Sequence, residues 1–255
     1  MYKSFTAEDF LEHLELGINY SISGFLVFGG YKESLYGVVE DIIKEIDPSV
    51  EYRRLSDEFL NPILEFKLNG KRYWFTKAYG GALLSEYVHL ASIFGSKVNI
   101  VTGSCGGLYP EANMHDLIIP TFSSGNESTT RAYDSNPENK HFATDSLRKE
   151  LMEYFSNYKV WEGPTITYQA MLAETREDIE SWSKQGYYGV EMEASTVMAV
   201  SNYFKVPTAA ILRIGDNLIK NQTVLDPYYL EQKHNRKEVT KDILKAAIQV
   251  MIQRG

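Results

Sequence analysis

Short apolar runs alternate with stripes of helical spacing along the chain. The stretch "GFLVFGG" (24–30) is an apolar run closed by two glycines, which predicts a buried strand and a tight turn. In "YGVVEDIIKEI" (36–46), Val39, Ile42, Ile43 and Ile46 recur at helical spacing. "ILEFKLNGKRYWFTKAY" (63–79) has two alternating runs joined through Asn69-Gly70, the pattern of a hairpin. "ALLSEYVHLASIFG" predicts a helix ending at Gly95, and "KVNIVTG" and "DLIIPT" predict strands. The stretch 121–145 is polar and carries Gly, Pro, Ser and Asn throughout, as in a disordered excursion or a functional lid. Beyond it, "SLRKELMEYFSN" is helical, "VWEGPTITY" a strand, and "AETREDIESWSKQG" a helix stopping at Gly186. "YYGVEM" leads into the helix "EASTVMAVSNYFK", "TAAILRIGD" is a strand ending at Asp216, and 236–253 is an amphipathic helix. At the start, Thr6 and Asp9 have the form of a helix cap, followed by Leu11, Leu14 and Leu16, which predicts a helical extension over residues 1–20.

Strands alternating with helices, several of them apolar throughout, predict an α/β fold: a three-layer α/β/α sandwich with a central mixed, largely parallel sheet. There is no internal repeat and no linker, so residues 1–255 are expected to form a single domain. With 44% hydrophobic and 24% charged residues, the composition is that of a soluble globular protein. The net charge of −8 and the absence of a Lys/Arg stripe exclude a nucleic-acid backbone as the expected partner. One cysteine excludes an internal disulfide framework and a Cys-based zinc site. No basic leader precedes an apolar block and no apolar run approaches the ~20 residues of a membrane span, so a cytoplasmic protein without membrane contact is expected.

Candidate chemistry lies at the ends of strands, where open α/β sheets collect ligands. Three places carry unusual residues: Gly103-Ser104-Cys105-Gly106-Gly107, Val190-Glu191-Met192-Glu193, and Gly215-Asp216-Asn217. Singly, each has an ordinary reading as a turn, a charged first helical turn or a cap. Together and in this order they point to a site.

These residues resemble the nucleoside phosphorylase and nucleosidase superfamily, which holds purine nucleoside phosphorylases, uridine phosphorylases and methylthioadenosine/S-adenosylhomocysteine nucleosidases. The likeness rests on "GFLVFGG", "AYGGALLSEYV", "VTGSCGGL", "HDLIIPT", "GVEMEASTVMAVSNYFKVP" and "ILRIGD", from about Gly24 onward. It implies that Met192 packs on the ribose, that Glu193, with Glu191 beside it, binds the 2′- and 3′-hydroxyls, and that Asp216 donates a proton to the purine N7. It implies that Gly29, Gly81 and Ser104 form the floor under the sugar and its nucleophile. Tyr168, Met171, Cys105 and Gly106 would line the base. A homo-oligomer (dimer, trimer or hexamer) is implied as well, with a small nucleoside and either phosphate or water as reactants. No cofactor and no metal is expected, since His13, His89, His115, His141 and His234 show no metal-ligand spacing.

The sequence departs from the phosphorylases where they hold phosphate. The arginine three residues before the loop serine is Val101 here, and the one after the first glycine loop falls on Glu33. A third would fall near Phe59, with Arg53 and Arg54 close by. Gly215 replaces a serine before Asp216, and His115 replaces a glycine. A dianion stripped of water needs cations, whereas a glutamate such as Glu33 can position water, as in the nucleosidase branch. The expectation is therefore cleavage of a purine nucleoside's N-glycosidic bond with Asp216 and Glu33 as catalytic groups, hydrolysis slightly favoured over phosphorolysis. A binding protein without catalysis is the rival; a dinucleotide-binding domain lacks its G-x-G-x-x-G fingerprint.

Overall fold

The computed structural model describes residues 2–55, 62–125 and 127–255. The N-terminal extension holds only one α-helical turn, α1 (Glu8–Leu11). Asp9 accepts from both the N–H and the hydroxyl of Thr6, so it closes a local turn and no long helix starts there. Leu11, Leu14 and Leu16 still pack against the core, but from a chain that turns at Glu15 with positive φ.

Strand β1 (Gly24–Gly29) leads to helix α2 (Ser34–Ile46), whose Val39, Ile42 and Ile43 are fully buried. A short strand β2 (Glu51–Leu55) follows, exposed over its first four residues, with Leu55 packed against the core and no apolar alternation. Strands β3 (Ile63–Leu68) and β4 (Lys71–Ala78) form the predicted hairpin. Asn69 and Gly70 both have positive φ (52° and 74°), which is what a two-residue hairpin turn demands. Helix α3 (Gly81–Ile93) and strand β5 (Asn99–Gly107) come next. The glycine-rich stretch expected as a loop is thus the second half of a strand, paired to its neighbours through Gly107.

Strand β6 (Leu117–Ser124) runs into the polar stretch, which is folded rather than loose. It holds helix α4 (Ser128–Tyr133) and strand β7 (Lys140–Phe142), tied by buried His141 to Asp134 at 3.0 Å and to the Gly125 carbonyl at 3.2 Å. Then follow α5 (Asp145–Glu153), β8 (Val160–Thr167), α6 (Arg176–Lys184), β9 (Gly189–Glu191), α7 (Ala194–Tyr203), β10 (Thr208–Asp216), α8 (Pro227–Glu231) and α9 (Lys233–Arg254).

The sheet runs β10-β6-β8-β9-β5-β1-β4-β3-β2, with β7 beside β6, and β10 also pairs with β5. Five strands therefore close into a ring, and β1, β4, β3 and β2 extend it from β5. The sheet is mixed, with parallel and antiparallel pairings in equal number among the described residues. Helices α3 and α7 pack together on one side, and α9 lies across β1, β5 and β10 between α2 and α5. Parallel β1, β4, β5 and β10 bring Gly29, Ala78, Gly107 and Asp216 to one edge. No helix among the described residues is long and apolar enough to cross a membrane.

Candidate active site

The edge where those strands end is built around one buried acid. Glu193 precedes α7 and is 6% exposed. Its Oε1 accepts the Gly80 N–H at 2.7 Å. Its Oε2 lies where a Cβ on Gly29 would fall, 2.5 Å away, so only glycine at position 29 leaves room for it. Burial, followed by the charge of Glu191, pushes the Glu193 carboxyl up to about 8.

Glu191, two residues earlier, is engaged elsewhere. It accepts the N–H groups of Glu193 (2.7 Å) and Ala194 (2.6 Å) at the start of α7, and the hydroxyls of Ser123 (3.0 Å) and Thr167. Its lone pairs hold the strand-to-helix corner that aims Glu193, which leaves no free acceptor for a sugar hydroxyl. Met192 stands between them, half-buried.

Asp216 ends β10 at a register shift between Ile214 and Asp216, opposite Gly106 of β5. Burial raises its carboxyl to about 6, against the opposing pull of backbone N–H groups and the Arg213 charge. Glu174 is half-buried, and its carboxyl is pushed up to about 7 by burial first and then by the charges of Asp216 and Asp178. The Tyr79 hydroxyl is raised by burial and then by Glu193, Tyr31 and Glu174. Tyr79 thus feels the charges of both Glu193 and Glu174, and Glu174 that of Asp216. Tyr31 and Tyr79 meet edge to face at 5.8 Å and are well exposed.

The glycines of β5 serve packing as much as access. The space a Cβ would need at Gly106 is filled by Leu218 and Val190, and at Gly107 by Ile214 and Asn217. At Gly81 it is filled by Gln169 and Thr196. Ser104 is the exposed member of the strand, while Cys105 alternates inward. The Cys105 thiol packs with Ala112, Ile118, Leu212 and Ile214, and burial raises its pKa. Expected at the base, the Cys105 side chain instead belongs to the core, because strand alternation turns it away from Ser104. Tyr168 stacks obliquely on Trp182 at 5.2 Å and packs beside Leu218, and Met171 opens a short turn at the rim, 45% exposed.

Glu33 stands at the start of α2 with its side chain 73% exposed. Its carboxylate lies 3.4 Å from Lys77 Nζ and 3.7 Å from Arg54 Nη1. Arg54 also bonds Glu40 at 2.5 Å and lies over the Tyr36 ring, and Arg53 is held by Glu65 at 2.8 Å. Val101 is fully buried in β5, so no cation reaches the site from there. Phe59 lies outside the described residues. No group of His, Cys, Asp or Glu among the described residues could hold a metal ion.

Sequence reasoning missed Lys77, Tyr79, Gln169 and Glu174. The signal for Glu174 was its place directly before Thr175, whose capping box with Asp178 starts α6 (N–H to Oδ2 3.0 Å, return bond 3.1 Å).

A model of the phosphorylase superfamily matches residues 81–249. The chain is 22% identical over 228 residues to a DeoD-type 2 purine nucleoside phosphorylase of Vibrio vulnificus strain YJ016, covering 84% of this chain and 93% of that one. It is 26% identical over 129 residues to a guanosine phosphorylase of Halorubrum lacusprofundi, covering 49% of this chain and 54% of that one. The crystal structure of uridine phosphorylase from Vibrio fischeri ES114 superposes with a TM-score of 0.71 at 20% identity, covering 91% of this chain and 92% of that one.

Proposed function

Because the chain belongs to the phosphorylase superfamily, we propose that it is a purine nucleoside phosphorylase, with Asp216 as the acid and Glu193 as the ribose ligand. The observation that carries this reading is the register of parallel β1, β5 and β10, which brings Gly29, against which Glu193 sits, and Asp216 to one edge of the sheet, with the Asp216 carboxyl raised to about 6 by burial. Breaking the C1′–N9 bond leaves an electron pair on the base. An acid poised near the working pH can meet that charge at N7. Hydroxyls that donate to Glu193 favour its ionised form, and the carboxylate then fixes the sugar and sits close to the positive charge growing at C1′.

Phosphate is the nucleophile the geometry favours. Lys77 and Arg54 converge beside the first glycine loop and supply cations that Val101 does not. Glu33 is exposed and ion-paired with those two cations. The relatives' names as phosphorylases support the same reading. Glu33 then acts as a counter-ion that phosphate displaces. Buried Val101 is the observation that favours hydrolysis as the second reading.

The test is a panel of purine nucleosides with and without phosphate, with both sugar products quantified. Ribose 1-phosphate formed only when phosphate is present is expected, and Lys77→Met should raise the KM for phosphate. Free ribose released at the same rate without phosphate would replace this reading with hydrolysis.

A further inference from the structure

We propose that Arg213 holds the phosphate: the free edge of its buried guanidinium, beside Ser104, binds an oxyanion at the end of β5. This inference rests on the phosphate-dependent reading above, and it adds a cation from a different strand than Lys77 and Arg54.

Strand pairing places the two side chains together. Arg213 of β10 is in register with Ser104 of parallel β5, and register partners on neighbouring strands share a face of the sheet. Alternation gives the same answer independently. Leu212 and Ile214, on either side of Arg213, pack inward with Cys105, so Arg213 projects from the opposite face, as Ser104 does. Gly215 shows how near the two come. A Cβ there would lie 3.7 Å from Ser104 Cβ and 3.9 Å from Arg213 Nη1. Both groups thus flank one point of backbone, a separation that a tetrahedral oxyanion can bridge. A Cβ on Gly103 would in turn lie 3.5 Å from the Gly29 carbonyl oxygen, so the first glycine loop adjoins the same strand end.

The guanidinium is anchored but only partly used. Arg213 is 6% exposed. Its Nη1 donates to the Ile214 carbonyl at 3.2 Å, and the His115 N–H donates to the same oxygen at 3.0 Å. Nε is buried without a partner, and Nη2 makes no hydrogen bond among the described residues. These two nitrogens share one edge of the planar group, the edge that grips two oxygens of one anion. No carboxylate forms an ion pair with Arg213 among the described residues, and the exposed Ser104 hydroxyl beside it is likewise unbonded there.

Buried polar groups normally have their partners. An arginine cannot release its proton, so burial without a counter-charge leaves a costly cation in place. An apolar side chain of similar length would fill this space without that cost. The charge is accounted for by an anion that binds and leaves, met by the free edge of Arg213 and by the Ser104 hydroxyl from the same face. Val101, on β5 itself, brings no charge to this strand end; β10 brings it from alongside.

The experiment measures inorganic phosphate binding by calorimetry, with chloride holding the ionic strength constant, in the native protein, Arg213→Met and Arg213→Lys. Urea unfolding of each without phosphate runs alongside. A charge-assisted hydrogen bond is worth about 10- to 150-fold, so Arg213→Met should bind phosphate at least about tenfold more weakly. Lysine keeps the charge and loses the edge, so Arg213→Lys should weaken binding by a smaller factor. Without phosphate, Arg213→Met should resist urea at least as well as the native protein, because no unpaired charge is then buried. An arginine that only supports the fold would do the reverse: a lower urea midpoint with phosphate affinity unchanged overturns the proposal. If Arg213→Met does not fold, Arg213→Lys decides, and a native Kd for phosphate in that variant overturns it. A native protein that binds no phosphate overturns it too. Nucleoside cleavage separates the two readings. Turnover that requires phosphate, with a KM for phosphate unmoved by Arg213→Met, removes Arg213 alone. Phosphate bound through Arg213, with base release that needs none, removes phosphorolysis and leaves the anion site standing.

Discussion

Glu193→Gln should make the unliganded protein more stable, and increasingly so as pH rises. Glu193 is 6% exposed, and its carboxyl is raised from an ordinary 4.5 to about 8. The sign follows from proton binding. Between those two values the folded chain holds a proton that the unfolded chain gives up, so stability is full below about 4.5 and falls as pH rises through about 8. At about 1.4 kcal/mol for each tenfold in proton affinity, the penalty is about 1 kcal/mol at pH 5, about 3 at pH 7 and about 4 at pH 8. Glutamine carries no charge to bury, and its amide oxygen can still accept the Gly80 N–H. Its amide nitrogen must find a partner beside Gly29, which costs about 1 kcal/mol. The variant should therefore match the native protein at pH 5 and exceed it by about 3 kcal/mol at pH 8. For a chain of this size that is roughly 6–12 °C in midpoint. Urea unfolding of both proteins at pH 5, 7 and 8 measures it directly. A difference that stays constant with pH, or a variant that loses stability at pH 8, would refute burial as the origin of the raised pKa. A gain in stability paired with a loss of nucleoside affinity is what a strained binding acid predicts.

Asp216→Asn should keep the fold and lower kcat for purine nucleosides by roughly 10²-fold or more, the scale of a lost general acid. Because the acid must be protonated, native kcat/KM should fall as pH rises past about 6, and the Asn variant should lack that limb; a shared pH profile would remove Asp216 from the role. Gly81→Ala places a methyl where Gln169 and Thr196 already sit, and should cost about 1–3 kcal/mol in urea unfolding. Gly37→Ala, a solvent-facing helix position with open space around it, should instead gain up to about 1 kcal/mol; equal effects at the two glycines would show that backbone freedom, rather than crowding, decides.

Most of the fold was legible because its strongest signals are local. The Asn69-Gly70 turn and the stripe of Val39, Ile42 and Ile43 owe their structure to residues within one or two turns of chain. Strand β2 was invisible for the opposite reason. Its five residues are mostly exposed and polar, and it exists because β3 offers an edge to pair with. The stretch 121–145 misled in the same way: its polar residues are used in bonds such as His141 with Asp134. The N-terminal leucines have the spacing of one helical face, yet Asp9 turns back on Thr6 and the chain reaches the core by another route.

For the site, the sequence marks Asp216 at the end of a strand and Glu193 at the start of a helix, positions fixed by local structure. It misjudged those whose role depends on what packs above them. A strand alternates, so Ser104 and Cys105 cannot both face the cleft, and treating "GSCGG" as a loop hid that. Bare glycines suggested reactants touching the backbone, but three of those spaces belong to Glu193, Leu218 and Gln169. Each filled space places a side chain that shapes the cleft, so a glycine here is the imprint of a long-range contact. Glu174 carries this furthest. Its local signal is only the capping box beside it, and its place in the fold is set by Arg176, two residues on, which binds a turn more than forty residues away.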